Sequence, residues 1–158
     1  MAKVLNIIGT AIIIIVIVLC LSLIVPRVFG ITSYTVLTGS MEPSVPVGSV
    51  VFAKAAEPAQ LEAGDIIVFY DGRSDFPVTH RIVDNQSSEG QFITKGDANE
   101  SDDIAPIPYP NLIGKVVLHL PFLGRLYAPL GTLMGKIAAL AVILGGFLLC
   151  EIARRMRS

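Results

Sequence analysis

The chain has 158 residues, enough for one domain, and 53% of them are hydrophobic, with a mean hydropathy of +0.68 that is high for a soluble domain. Two cysteines and two histidines leave no disulfide framework and no zinc site to build. Between Arg27 and Arg125 five basic residues face twelve acids, so the middle of the chain is no surface for nucleic acid.

The first element is apolar. From Val4 to Val25 no residue is charged, and Ile12–Val25 is almost purely aliphatic. At the rise of an α-helix, roughly 22 residues cover roughly 33 Å, which crosses the hydrocarbon core of a bilayer. A helix apolar all round over this length fits a membrane span better than the core of a chain this small. A cleavable leader fits less well than an anchor. The run is longer than a usual leader core, and Pro26-Arg27-Val28-Phe29 offers no small-x-small cleavage site. Residues 1–29 are expected to form a retained membrane anchor.

The next stretch, residues 30–125, reads as strands separated by turns. Ser33–Leu37 and Ser49–Ala53 are rich in β-formers. Asp65–Tyr70 ends at Asp71-Gly72. Val78–Val83 and Gln91–Thr94 flank the polar turn Asn85–Gly90, and Gly114–Leu120 is closed by Pro121. No long stretch here has helical periodicity. The expected fold is mainly β, a compact all-β domain, with one long loop from Asp97 to Pro110.

A second apolar segment runs from about Leu126 to Cys150, with Lys136 near its start, where its stem can snorkel to the interface. Glu151 and the cluster Arg154, Arg155, Arg157 follow. Such a cluster beside a span belongs on the cytoplasmic side. Residues 126–158 are therefore expected to be a C-terminal transmembrane helix with a basic tail. The alternative is a helix lying in the interface. Two spans put both termini inside and residues 30–125 outside, as a multi-pass protein of the cell membrane. Cys20 and Cys150 both fall within the apolar segments.

The chemistry in the middle begins with Thr38-Gly39-Ser40-Met41-Glu42-Pro43. A serine after glycine, just past a strand, can sit on a tight turn with its hydroxyl exposed. Ser33, Ser44 and Ser49 are equal rivals by residue type. A serine nucleophile needs a base that titrates near neutrality, which histidine provides. His80 lies in a strand, and so does His119. Acids that could orient an imidazole cluster at Asp97, Glu100, Asp102 and Asp103. The same run would serve as a solvated turn or a loose calcium loop, although it lacks the EF-hand spacing. Residue types alone permit a Ser-His-Asp arrangement without selecting its members.

Four segments in this order, TGSMEP (38–43), GDIIVFYD (64–71), THRIV (79–83) and TKGDANESDD (94–103), resemble the sequence boxes of the signal peptidase I family. Gly114–Val117 and Pro121–Gly124 are similar to the end of that family's catalytic domain. The resemblance covers about residues 33–125 and the anchor before them. It implies a compact all-β signal-peptidase catalytic domain, flanked by N- and C-terminal transmembrane helices, that removes signal peptides from exported preproteins. One branch of the family pairs its serine with a lysine that directly precedes an arginine. The other has histidine there, as in the catalytic subunit of the endoplasmic-reticulum complex and in archaeal and some Gram-positive enzymes. This chain reads His80-Arg81 and resembles the histidine branch.

The resemblance implies Ser40 as nucleophile, His80 as base and Asp103 as the orienting acid. Asp97 matches the Lys-Gly-Asp aspartate of the family, and Asp102 stays open as an alternative to its neighbour. The Ser40 N–H and the Thr38 hydroxyl are the implied oxyanion donors, threonine standing where many relatives have serine. No cofactor is implied. Met41 and the apolar residues of Tyr34–Leu37 are candidates for lining shallow pockets for small substrate side chains, or else for ordinary core. The implied partners are signal peptides and the lipid bilayer; accessory subunits, which the endoplasmic-reticulum relatives have, stay open. Two rivals are a catalytically inactive membrane-anchored scaffold of the same fold and a self-cleaving regulator. The regulator would need a lysine base and a DNA-binding domain, which this sequence lacks.

Overall fold

The computed structural model describes residues 1–156, so Arg157 of the basic cluster lies outside the described residues. The chain divides into two compact units, Met1–Pro26 with Leu126–Ser158, and Arg27–Arg125.

In the first unit, α1 (Ala2–Val28) and α3 (Leu133–Arg155) are both long and apolar enough to cross a membrane. Only 6% of each apolar window is buried, which rules out the core helix of a soluble domain. The two helices approach closely at Gly9 and Gly146. A methyl group on Gly9 would lie 2.8 Å from the Gly146 carbonyl oxygen, and one on Gly146 would lie 2.7 Å from Ile13 Cγ1. Small residues let helix backbones meet where lipid supplies no hydrophobic drive. Near this crossing, Cys150 Sγ lies 3.7 Å from Thr10 Oγ1 and 3.8 Å from the Asn6 carbonyl.

The second apolar segment is not one helix from Leu126. A short helix, α2 (Gly124–Leu130), contains Pro129, and the chain breaks at Gly131-Thr132 before α3 begins. Thr132 caps α3, its hydroxyl oxygen accepting the Gly135 N–H at 3.0 Å. Lys136 therefore stands in the first turn of α3.

The second unit is a seven-stranded antiparallel sheet. Its strands are β1 (Ile31–Thr35), β2 (Val50–Lys54), β3 (Ile66–Phe69), β4 (Val78–Gln86), β5 (Gln91–Lys95), β6 (Ile107–Pro108) and β7 (Leu112–Leu120). They lie in the order β1-β2-β7-β3-β4-β5-β6. Side chains alternate faces along a strand. On β3, Val68 joins Val36, Met41, Val45, Val51 and Ala53 on one side, whereas Ile67 and Phe69 join Leu61, Ile82, Phe92 and Ile107 on the other. Burial on both faces is why Ile66-Ile67-Val68-Phe69 is a continuous apolar run rather than an alternating one. Each fully buried side chain of this size contributes about 1.5–3 kcal/mol.

The fold class agrees with the sequence expectation. The loop from Asp97 to Pro110 differs in one respect. It is interrupted by β6, whose Ile107 is buried opposite Phe92, and by a 3-10 turn at Tyr109–Asn111. The strand expected at Ser33–Leu37 lies two residues earlier, at Ile31–Thr35.

Candidate active site

The loop carrying Ser40 leaves β1 and is pinned from below. Met41 and Val45 are buried pegs in the core, and the Val45 N–H donates to the Met41 carbonyl at 2.8 Å. Ser40 itself is half-buried, and its hydroxyl oxygen stands 3.5 Å from Thr38 Oγ1. The Ser40 carbonyl accepts the Ala98 N–H at 2.9 Å, which ties this loop to the turn after β5.

His80 sits on β4 opposite Ile67, 8% exposed, with its ring edge-on to Phe69 at a centroid distance of 6.2 Å. Register then brings in the next groups. Arg81 pairs with Lys95 and Ile82 with Thr94. Thr94 therefore shares the face of Ile82 and His80, and Gly96 falls beside His80. A methyl on Gly96 would come within 2.6 Å of the Ser40 carbonyl oxygen and 3.0 Å of His80 Nε2. Glycine is needed there because backbone, serine loop and imidazole converge on that space.

Asp103 completes the cluster. Its N–H donates to the Thr94 carbonyl at 2.8 Å, which folds the acidic loop back onto β5. Its Oδ2 is 2.6 Å from His80 Nδ1 and 2.6 Å from Thr94 Oγ1. With Nδ1–H donating to the carboxylate, the Nε2 lone pair is left free to accept a proton. Among the described residues no hydrogen bond joins Ser40 Oγ to His80. The serine hydroxyl is turned toward Thr38.

Asp97 does a different job. Its two carboxylate oxygens accept from Arg81 Nε at 2.8 Å and Nη2 at 2.6 Å, in a bidentate pair. Arg81 also donates to the Gly64 carbonyl at 2.7 Å and reaches Ser44 Oγ at 3.4 Å. Arg81's hydrogen bonds hold the Asp97 carboxyl below the usual aspartate range, against a smaller opposing effect of burial, and Asp97 raises Arg81 in return.

The structure thus gathers Ser40, His80, Asp103, Thr38 and Asp97 around the end of the β4–β5 hairpin. Asp102 is exposed beside its neighbour. Met41 is 1% exposed and packed among Val36, Val45 and Val51, so it presents almost no surface. His119 stands on β7 opposite Val51, away from this hairpin. Sequence reasoning missed Thr94 and Gly96. The signal was present in the hairpin register, which sets position 96 against His80 and position 94 diagonal to it. Among the described residues no three His, Cys, Asp or Glu side chains group to hold a metal ion.

Residues 7–97 match the family model described as signal peptidase, peptidase S26. The chain belongs to this signal peptidase family. It is similar to Signal peptidase I W of Bacillus subtilis (strain 168), 42% identical over 90 residues, which is 55% of this chain and 47% of that protein. It is also 28% identical over 126 residues to the signal peptidase complex catalytic subunit SEC11C of Homo sapiens, covering 73% of this chain and 66% of that one. SEC11 of Colletotrichum graminicola is 33% identical over 125 residues, covering 69% and 73% respectively. The chain thus spans about half the length of the Bacillus relative and about two thirds of the human one. The family match includes Ser40, His80 and Asp97 and stops before Asp103. With two helices apolar enough to span a bilayer, membership of this family points to a membrane-associated protein.

Proposed function

We propose that this chain is a membrane-bound serine endopeptidase that cuts signal peptides from exported preproteins. The observation that carries the reading is the short bond from His80 Nδ1 to Asp103, which leaves Nε2 facing the space at Gly96 beside the Ser40 loop. Rotation about the Ser40 side chain brings Oγ from Thr38 toward His80. His80 Nε2 then takes the hydroxyl proton as Oγ attacks the scissile carbonyl. Asp103 fixes the ring and stabilises the imidazolium. The Ser40 N–H and the Thr38 hydroxyl receive the oxyanion, and one such donor typically supplies about 3–4 kcal/mol in the transition state. The imidazolium next protonates the leaving amine, and water resolves the acyl-enzyme.

Asp103 is preferred to Asp102, which is exposed, and to Asp97, whose oxygens are committed to Arg81. In this reading α1 and α3 both span the cell membrane, the termini are cytoplasmic and the sheet lies outside. Tethering at the outer face raises the effective concentration of the protease at a cleavage site that emerges there. The partners are signal peptides, with accessory subunits suggested by the SEC11C relative, which is a subunit of a signal peptidase complex.

The test uses the full chain in detergent or vesicles with a model preprotein. Wild type should release the mature protein, and a serine-directed acylating reagent should label Ser40 only while His80 is intact. Labelling that survives His80→Ala, or no cleavage by the wild type, would leave the scaffold reading in its place.

A further inference from the structure

Asp103 Oδ2 receives two short contacts on one atom. His80 Nδ1 lies at 2.6 Å and Thr94 Oγ1 at 2.6 Å. Thr94 is fully buried, at 0% exposure, so its hydroxyl has no water to turn to. It is also β-branched and held in a strand, so its χ1 is stiff. The same residue's carbonyl binds the Asp103 N–H at 2.8 Å. Backbone and side chain of one residue therefore fix both ends of the aspartate.

From this geometry we propose that Thr94 is a positioning residue for hydrolysis, acting on His80 through Asp103; the proposal rests on the serine-peptidase reading above. A carboxylate held only by an imidazole can rotate about χ2 and exchange its oxygens. The Thr94 hydroxyl removes that freedom by marking Oδ2 as the atom that faces Nδ1. Its donated hydrogen bond also holds Oδ2 in line with Nδ1–H, where the carboxylate meets the imidazolium as the proton leaves Ser40. Both effects grow as the imidazolium forms, which is late in the approach to the transition state, and neither touches the bound peptide. Loss of the hydroxyl should therefore lower kcat and leave KM in place. A threonine that merely satisfied the core would show the opposite pattern, with lowered stability and an unchanged kcat in the folded fraction.

The experiment compares Thr94→Val, Thr94→Ser, Asp103→Ala and Thr94→Val/Asp103→Ala in the full chain, with a preprotein substrate and the melting temperature of each. Thr94→Val is expected to lose about tenfold or more in kcat at unchanged KM, the scale of a hydrogen bond to a charged group. Thr94→Ser, which keeps the hydroxyl, should restore most of that loss. On the Asp103→Ala background, Thr94→Val should change kcat by less than about twofold, because residues that act as a unit are not additive. Should Thr94→Val fail to fold, Thr94→Cys takes its place, with similar volume and only a weak donor. Wild-type kcat in Thr94→Val, no rescue by Thr94→Ser, or multiplicative losses in the double variant would each overturn the proposal. Failure of the peptidase reading looks different, since Asp103→Ala and a Ser40→Ala control would then match wild type.

Discussion

Two aspartates six residues apart, Asp97 and Asp103, carry different loads, and their substitutions should separate activity from stability. Asp103 touches the imidazole, and asparagine there can keep the Thr94 bond. Asp103→Asn should melt near wild type and cleave on the order of a thousandfold or more slowly, as when a triad carboxylate is neutralised. Asp97 braces Arg81, whose other bonds reach the Gly64 carbonyl and Ser44. Asp97→Asn should lower stability by on the order of 1 kcal/mol, since Arg81 is a third exposed, which reads out as a lower melting temperature, and should reduce cleavage as well. The pH dependence follows in sign. The Asp97 carboxyl is depressed in the folded state, so the pair's stabilisation is complete above about pH 4 and is lost as pH falls through the lowered value. The melting-temperature gap between wild type and Asp97→Asn should accordingly be widest at neutral pH and close in acid. A gap that stays constant to low pH would assign the effect to packing. For the base, His80→Ala should abolish cleavage of a preprotein and His119→Ala should retain most of it. Equal losses in the two variants would remove His80 from its assigned part.

Strands were the most legible elements, for a local reason. The runs Val50–Lys54, Ile66–Phe69 and Val78–Gln86 each open on a β-branched residue and follow closely on Gly48, Asp65 or Pro77, so propensity and turn chemistry agree. β6 was hidden because two residues carry no period, and because a proline reads as a break although it is tolerated at an edge. The interruption before α3 was equally silent in hydropathy, since Leu130 and Leu133 flank it, but Pro129-Leu130-Gly131-Thr132 is a stop followed by a cap. Site residues that lie close in sequence order to a motif were readable. The partnership of Thr94 with Asp103 was not, because it depends on a loop folding back onto the strand before it. The helix pair permits a direct check. With Thr10 Oγ1 3.7 Å from Cys150 Sγ, Thr10→Cys should form a disulfide with Cys150 on mild oxidation. After proteolysis between the helices the two fragments should stay joined until reduced. Adding Gly146→Leu, which sets bulk against Ile13 and Gly9, should suppress the cross-link. Efficient cross-linking despite the leucine would mean that α1 and α3 do not meet at the glycines.

At the scale of the whole chain, orientation depends on where lysine and arginine flank the two apolar helices. The first helix is poorly biased, with Lys3 in its first turn and Arg27 in its last. The second is better biased, with Arg154 and Arg155 in its last turn and Arg157 next but one in sequence, against Arg125 before it and Lys136 in its first turn. Glu151 pairs with Arg154 at 2.6 Å and Arg155 at 3.2 Å, yet acids weigh little in the topology rule. Both termini should then be cytoplasmic, which leaves Arg27–Arg125 on the side where cleavage sites of exported proteins emerge. Protease added to spheroplasts should spare a C-terminal tag and digest it only after the membrane is opened. Replacing the three C-terminal arginines with glutamine should raise the fraction of chains whose tag is digested from outside, because Arg125 and Lys136 then dominate the flanks of α3. A tag accessible in the unaltered chain would show that α3 does not cross. The sheet would then be held by α1 alone, with α3 lying along the interface on its outer side.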